Sequence, residues 1–187
     1  MPAINSKSTL LEVAALVSTA LQNANITASL SGGAAVSIYT ENVYQSKDLD
    51  FVTAALVKDL IPVMASLGFE HVGVPRLSQF EHPLIEWYVE FPPAPLSFGN
   101  LYVEHSSCAV IDVGIGQLRI ITPTHSVLDR LAAAIAWHDE QSRDQAILVA
   151  TIQNVDWDAI RQWFVDEGES EYERFRNAVD DAKNSMK

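Results

Sequence analysis

Apolar positions in the first two thirds of the chain recur with two periods, one typical of helices and one typical of strands. Thr9 and Glu12 form a capping-box pattern ahead of apolar residues at helical spacing, which predicts a helix over 9–23. Apolar and polar residues alternate over 85–91, which predicts a strand that ends at Pro92. Shorter patterns predict strands over 26–30, 48–52, 69–72, 101–104, 108–113 and 117–121, and helices over 34–39 and 57–67.

The pattern becomes helical from Thr122 onward, where Thr122-Pro123 is typical of a helix start. The sequence therefore predicts an α+β fold: a mixed β-sheet with helices packed on it over residues 1–121, followed by a small C-terminal helical bundle over 122–187. The helices predicted in this second region cover 124–136, 141–153, 156–166 and a charged tail from residue 169.

Composition narrows the functional classes. Of 187 residues, 48% are hydrophobic and 19% are charged, a balance that is typical of a folded protein. Cys108 is the single cysteine, so it has no internal disulfide partner and fits a reducing cytoplasm. No apolar run approaches the roughly 20 residues needed to span a membrane. We therefore expect a cytoplasmic protein without a membrane segment or a signal peptide.

The formal net charge of −12 argues against extended nucleic-acid binding, which depends on Lys and Arg at phosphates. The acidity fits solubility, and it also fits a basic protein partner.

Two short motifs carry the candidate chemistry. Ser31-Gly32-Gly33 lies between a predicted strand and a predicted helix, where glycines let backbone amides approach phosphates. Asp48 and Asp50 lie on one face of the next strand, and such a charge pair is costly without a cation between them. The alternative for the glycine motif is a simple tight turn. The alternative for the aspartate pair is a solvated strand edge, with Lys47 as a surface partner of Asp48.

This order of motifs resembles the DNA-polymerase-β-like nucleotidyltransferase superfamily. The segments 46–51, 88–92 and 121–131 look like small bacterial nucleotidyltransferase-like proteins of the abortive-infection or antitoxin type, and the resemblance covers roughly residues 26–150. It implies a nucleotidyltransferase-like sheet domain over 1–121. It also implies catalytic, metal-binding carboxylates that hold Mg²⁺ or Mn²⁺, namely Asp48, Asp50 and a third residue.

The third carboxylate stays open at this point. Glu90 is preferred because Phe91-Pro92 follows it as in the related sequences, while Glu86 shares its strand face and Asp112 lies on a later strand. The residues that the resemblance places at the triphosphate of a bound nucleotide are Ser31, Gly32, Gly33, Ser37 and Lys47.

Basic residues are scarce, so each is a candidate partner for a triphosphate; the alternative is that they pair with nearby acidic residues such as Asp129, Asp139 and Asp144. The candidate cations are Lys47, Arg76, Arg119, Arg130 and Arg143.

The sequence supports two functions. One is transfer of a nucleoside monophosphate from a nucleoside triphosphate to an unidentified hydroxyl. The other is a catalytically inactive protein of the same fold that acts as an antitoxin-like or regulatory partner, of a toxin for example. Trp137, Trp157 and Trp163 fit either a core or a subunit interface, so a homodimer stays open.

Overall fold

The computed structural model describes residues 3–73 and 78–186. The helices are α1 (Leu10–Asn23), α2 (Gly32–Tyr39), α3 (Val57–Ser66), α4 (Pro123–Trp137), α5 (Glu140–Ile152), α6 (Trp157–Asp166) and α7 (Tyr172–Ser185). The strands are β1 (Ala28–Ser31), β2 (Asp48–Thr53), β3 (Glu70–Val72), β4 (Gln79–Glu81), β5 (Tyr88–Glu90), β6 (Ser97–Phe98), β7 (Leu101–Tyr102), β8 (Ala109–Asp112) and β9 (Gln117–Ile120).

A mixed sheet forms the centre of the molecule. Within the described residues its seven strands have the order β3-β4-β5-β2-β1-β9-β8, and β6 and β7 form a separate hairpin. The central strand β2 is antiparallel to β1 and parallel to β5, while β1 is parallel to β9. The predicted α+β fold, with a mixed sheet and C-terminal helices, is confirmed.

One set of alternating positions in the central strands forms the core. Leu30, Leu49, Phe51 and Val89 are fully buried, and α1 packs against β1 and β9. Burying such a side chain stabilises the fold by about 1.5–3 kcal/mol. Because successive side chains of a strand point to opposite faces, the intervening polar residues are directed away from this core layer.

The C-terminal helices are attached to the sheet through α2. Helices α4 and α5 both pack against α2, and the Gln153 amide donates a hydrogen bond of 2.6 Å to the Tyr39 carbonyl. The Tyr39 hydroxyl in turn donates to the Ile121 carbonyl. Residues 122–186 thus contact the helix that begins at the glycine pair, whereas the division into two domains at residue 121 stays a prediction.

Among the described helices, none combines the length and the apolar character that crossing a bilayer requires.

Local differences from the predicted elements have physical causes. The strand predicted over 85–91 is limited to 88–90, because its ladder with β2 begins only where Asp48 pairs with Tyr88. Strands β4 and β6, of three and two residues, were not predicted.

Candidate active site

Three carboxylates meet where β2 and β5 run side by side. In this parallel ladder Asp48 pairs with Tyr88 and Asp50 pairs with Glu90, so all four side chains share one face of the sheet. Carboxylate oxygens of Asp48, Asp50 and Glu90 lie within 4.8 Å of one another. Oxygen ligands of this kind suit a hard divalent cation such as Mg²⁺. The donor set therefore fits the metal that the sequence predicts.

Crowding of negative charge changes the proton affinity of the cluster. Burial, followed by the charges of Asp48 and Glu90, raises the pKa of Asp50 from 3.8 to about 7. Burial and the charge of Asp48 also raise the pKa of Glu90. Tyr88 has a raised pKa through burial and the same three carboxylates, which identifies it as a neighbour of the cluster. A bound cation would relieve this repulsion.

The structure brings Glu90, rather than its two alternatives, to the aspartate pair. Glu86 is exposed and precedes β5, outside the ladder with β2. Asp112 is exposed on the edge strand β8, which two strands separate from β2, and it accepts a 2.8 Å hydrogen bond from the Gly114 amide.

The glycine turn passes directly beside the cluster. Ser31 is paired with Asp50 across β1 and β2, and its hydroxyl donates to the Asp50 carbonyl at 3.4 Å. Gly32 follows with a φ of +66°, and a Cβ at this position would lie 2.3 Å from Asp50 Oδ2. The positive φ favours glycine, and a Cβ here would push the Asp50 carboxylate out of its place. The first turn of α2 is thereby held against the carboxylates.

A serine pair connects α2 to the first aspartate. Ser37 is fully buried; its hydroxyl donates to the Gly33 carbonyl at 3.1 Å and accepts from the Ser46 amide at 2.9 Å. The Ser46 hydroxyl donates to Asp48 Oδ1 at 2.6 Å. As placed, Ser37 acts on the backbone of the glycine turn, and Ser46, which the sequence did not single out, orients Asp48.

Asp129 is a second residue that the sequence did not predict at the site. The Gly32 amide donates to Asp129 Oδ2 at 3.0 Å, across 97 residues of sequence. The same oxygen accepts hydrogen bonds from Arg130 Nε at 3.1 Å and Arg130 Nη2 at 2.9 Å. Since Asp129 also contributes to the raised pKa of Asp50, helix α4 adds a fourth carboxylate beside the cluster.

The candidate cations differ in their placement. Lys47 is exposed directly before Asp48, and within residues 3–73 and 78–186 no ion pair involves it. Arg130 pairs with Asp129, the acidic alternative that the sequence offered. Arg143 instead pairs with Glu171 at 3.3 Å.

Two further candidate cations are Arg119 and Arg76. Arg119, on β9, donates to the His105 carbonyl at 3.0 Å. Arg76 lies outside the described residues.

Comparison with known proteins supports the fold. No protein-family model matches the chain, and no curated protein sequence matches it significantly. Among solved structures, an antigenic nucleotidyltransferase-like protein from Paracoccidioides brasiliensis is similar, with 13% identity, 78% of this chain and 77% of that chain covered, and a TM-score of 0.57. The antibiotic-resistance factor ANT(2'')-Ia in solution is also similar, with 15% identity, coverage of 95% and 96%, and a TM-score of 0.50.

A crystal structure of ANT(2'')-Ia in complex with adenylyl-2''-tobramycin gives 16% identity, coverage of 90% and 97%, and a TM-score of 0.50. At these identities the likeness establishes the architecture alone. The chain has a nucleotidyltransferase-like fold.

Proposed function

We propose that this protein is a metal-dependent nucleotidyltransferase that moves a nucleoside monophosphate from a nucleoside triphosphate to a hydroxyl acceptor. The observation that carries the proposal is the meeting of Asp48, Asp50 and Glu90 within 4.8 Å, beside the glycine turn. Phosphoryl transfer requires positioning and charge neutralisation more than covalent help from the protein. This arrangement would position a divalent cation, and the cation would supply the neutralising charge.

Each side chain has a role that follows from its place. Asp48, Asp50 and Glu90 would hold Mg²⁺ or Mn²⁺, which when bound supplies positive charge to the triphosphate and the attacking oxygen. The Gly33 amide and the start of α2 would bind the phosphates. Lys47, which is exposed directly before Asp48, would add a positive charge. Ser31 and Ser37 maintain the turn that presents these amides.

The reaction balances without a further reactant. The acceptor oxygen forms a bond to the α-phosphorus, the bond between that phosphorus and the bridging oxygen to the β-phosphate breaks, and pyrophosphate leaves. Glu90, as an alternative to binding the metal, would take the proton of the acceptor hydroxyl.

The comparisons support this class of chemistry. ANT(2'')-Ia, whose fold is similar, was crystallised with adenylyl-2''-tobramycin, an adenylylated small molecule. The relationship to abortive-infection or antitoxin-type proteins rests on the motifs at 46–51, 88–92 and 121–131.

Binding measurements on the double variant Asp48→Asn/Asp50→Asn test the proposal. We expect Mg²⁺ with ATP or GTP to raise the melting temperature of the wild-type protein and to leave the double variant unchanged. Asp112→Asn, which removes a carboxylate at the far sheet edge, is the matched control and keeps the wild-type response. No calorimetric binding of any of the four ribonucleoside triphosphates at millimolar concentration would refute the proposal.

A non-catalytic role is the second candidate. The net charge of −12 and the occupation of the Gly32 amide by Asp129 both favour a scaffold that binds a basic protein partner. Partner capture from the native host distinguishes the two, because the double variant would then retain its partner while binding no nucleotide.

A further inference from the structure

We propose that Asp129 is a latch on the nucleotide site: its carboxylate holds the place of a phosphate oxygen on the Gly32 amide, and an incoming nucleotide displaces it. The proposal rests on the function proposed above and adds a form of regulation to the same site. It assigns the helical C-terminal region a part in nucleotide binding.

The first turn of α2 is capped by a residue from outside its own segment. Ser31 precedes this helix but makes no side-chain hydrogen bond to its amides. The bond to the Gly32 amide comes instead from Asp129 on α4, at 3.0 Å. A carboxylate and a phosphate oxygen bind such an amide in the same way, as acceptors favoured by the positive end of the helix. The two ligands therefore exclude each other at Gly32.

The negative charge of Asp129 also opposes the binding of a nucleotide while Asp129 stays in place. Asp129 lies beside a cluster that already holds Asp48, Asp50 and Glu90, and its side chain is only 17% exposed. A triphosphate would add several further negative charges to the same small volume. Leaving Asp129 in place would repel the ligand, so its departure accompanies binding.

Asp129 has a second hydrogen-bond partner on its own helix. Arg130 donates two hydrogen bonds to the oxygen that also binds Gly32. The carboxylate can therefore release the Gly32 amide to the nucleotide while its charge remains paired with the guanidinium. Because both residues are on α4, displacement would remove a contact between the glycine turn and the helical region.

The test uses the full chain, Mg²⁺ and α,β-methylene-ATP, a triphosphate whose α–β linkage is not cleaved. Calorimetry compares wild type with Asp129→Asn, which keeps a neutral acceptor, and with Asp129→Ala, which leaves the amide free. We expect affinity to rise from wild type to Asn and again to Ala, by about tenfold overall, the usual effect of one charged hydrogen bond. Asp112→Asn is the control, because it too removes a carboxylate bonded to a glycine amide, and its affinity stays at the wild-type value.

Each other outcome overturns the latch. Equal gains in the Asn and Ala variants would reduce the effect to charge alone. Unchanged or weaker binding in both variants would show that Asp129 does not compete with the nucleotide. Failure of wild type and both variants to bind would instead refute the proposed function itself.

A spectroscopic measurement keeps the test decisive if Asp129→Ala does not fold. In ¹⁵N-labelled wild-type protein we expect the Gly32 amide resonance to move when the Mg²⁺–nucleotide complex binds, and to be already displaced in nucleotide-free Asp129→Asn. A Gly32 resonance that is indifferent to saturating nucleotide would contradict displacement.

Discussion

At the residue scale, Asp50 is the most strained member of the site electrostatically. Its pKa is raised from 3.8 to about 7 by burial and by the neighbouring carboxylates. The folded state therefore binds this proton more tightly than the unfolded chain does. The resulting stability is fully present below about pH 4 and is lost as the pH rises through 7.

The metal-free protein should show this loss. We expect its free energy of unfolding to fall between pH 4 and pH 8 relative to that of Asp50→Asn, by an amount on the order of a few kcal/mol. Urea unfolding across this range, in the presence of a chelator, measures the difference. Parallel curves for the two proteins would contradict the assigned environment of Asp50, and Asp112→Asn controls for loss of a carboxylate elsewhere.

Gly32 provides a second test at this scale, with Gly114 as its control. Both have positive φ, +66° and +81°, but a Cβ at Gly114 meets no atom within 4 Å, whereas one at Gly32 meets Asp50 Oδ2 at 2.3 Å. We expect Gly114→Ala to lower stability by about 1–2 kcal/mol through backbone strain alone. We expect Gly32→Ala to lower stability by more than Gly114→Ala does, and to abolish the stabilisation that Mg²⁺ gives.

Thermal and chemical unfolding of the two variants, with and without Mg²⁺, give the comparison. Equal losses, with metal stabilisation intact in both, would show that the turn does not abut the carboxylates.

At the element scale, the serine pair connects helix α2 to strand β2. The Ser37 hydroxyl is buried, donates a hydrogen bond to the Gly33 carbonyl and accepts one from the Ser46 amide. Removing it leaves the buried Ser46 amide without its acceptor.

We expect Ser37→Ala to lower the free energy of unfolding by about 1–3 kcal/mol and to weaken metal binding through Ser46 and Asp48. Ser66→Ala is the matched control, since the Ser66 hydroxyl also donates to a helix carbonyl, at 2.6 Å, but on the exposed surface of α3. Calorimetric titration with Mg²⁺ and urea unfolding measure both effects. A Ser37 variant that behaves like the Ser66 variant would contradict the link.

The elements themselves show how far the sequence could be interpreted. The capping box at Thr9 and Glu12 predicts the start of α1 correctly, because all its interactions are local. The alternation over 85–91 predicts a strand, but its length depends on where β2 begins, and β2 is far away in sequence. Strand β4, which was not predicted, has three residues and forms between β3 and β5.

The same distinction between local and distant information applies to the site. Alternation alone places Asp48 and Asp50 on one face, and the motifs favour Glu90 as their partner. The sequence alone does not separate Glu90 from Glu86. The register of the strands does, because it pairs Asp50 with Glu90.

At the scale of the whole molecule, the site combines both regions of the chain. Asp129 reaches the Gly32 amide across 97 residues, a contact that depends on α4 and α5 packing against α2. The motif at 121–131 includes Asp129, but nothing local in the sequence of α4 indicates a contact with Gly32. The net charge of −12, by contrast, can be counted from the sequence, and it favours the binding of cations.

The central claim is that Asp48, Asp50 and Glu90 share one divalent cation beside the glycine turn. Anomalous scattering from crystals grown with Mn²⁺ and α,β-methylene-ATP tests it most directly. The account predicts an anomalous peak within coordination distance of all three carboxylates, with the nucleotide phosphates at the start of α2. A manganese peak elsewhere, or phosphates bound away from Gly32 and Gly33, would contradict it.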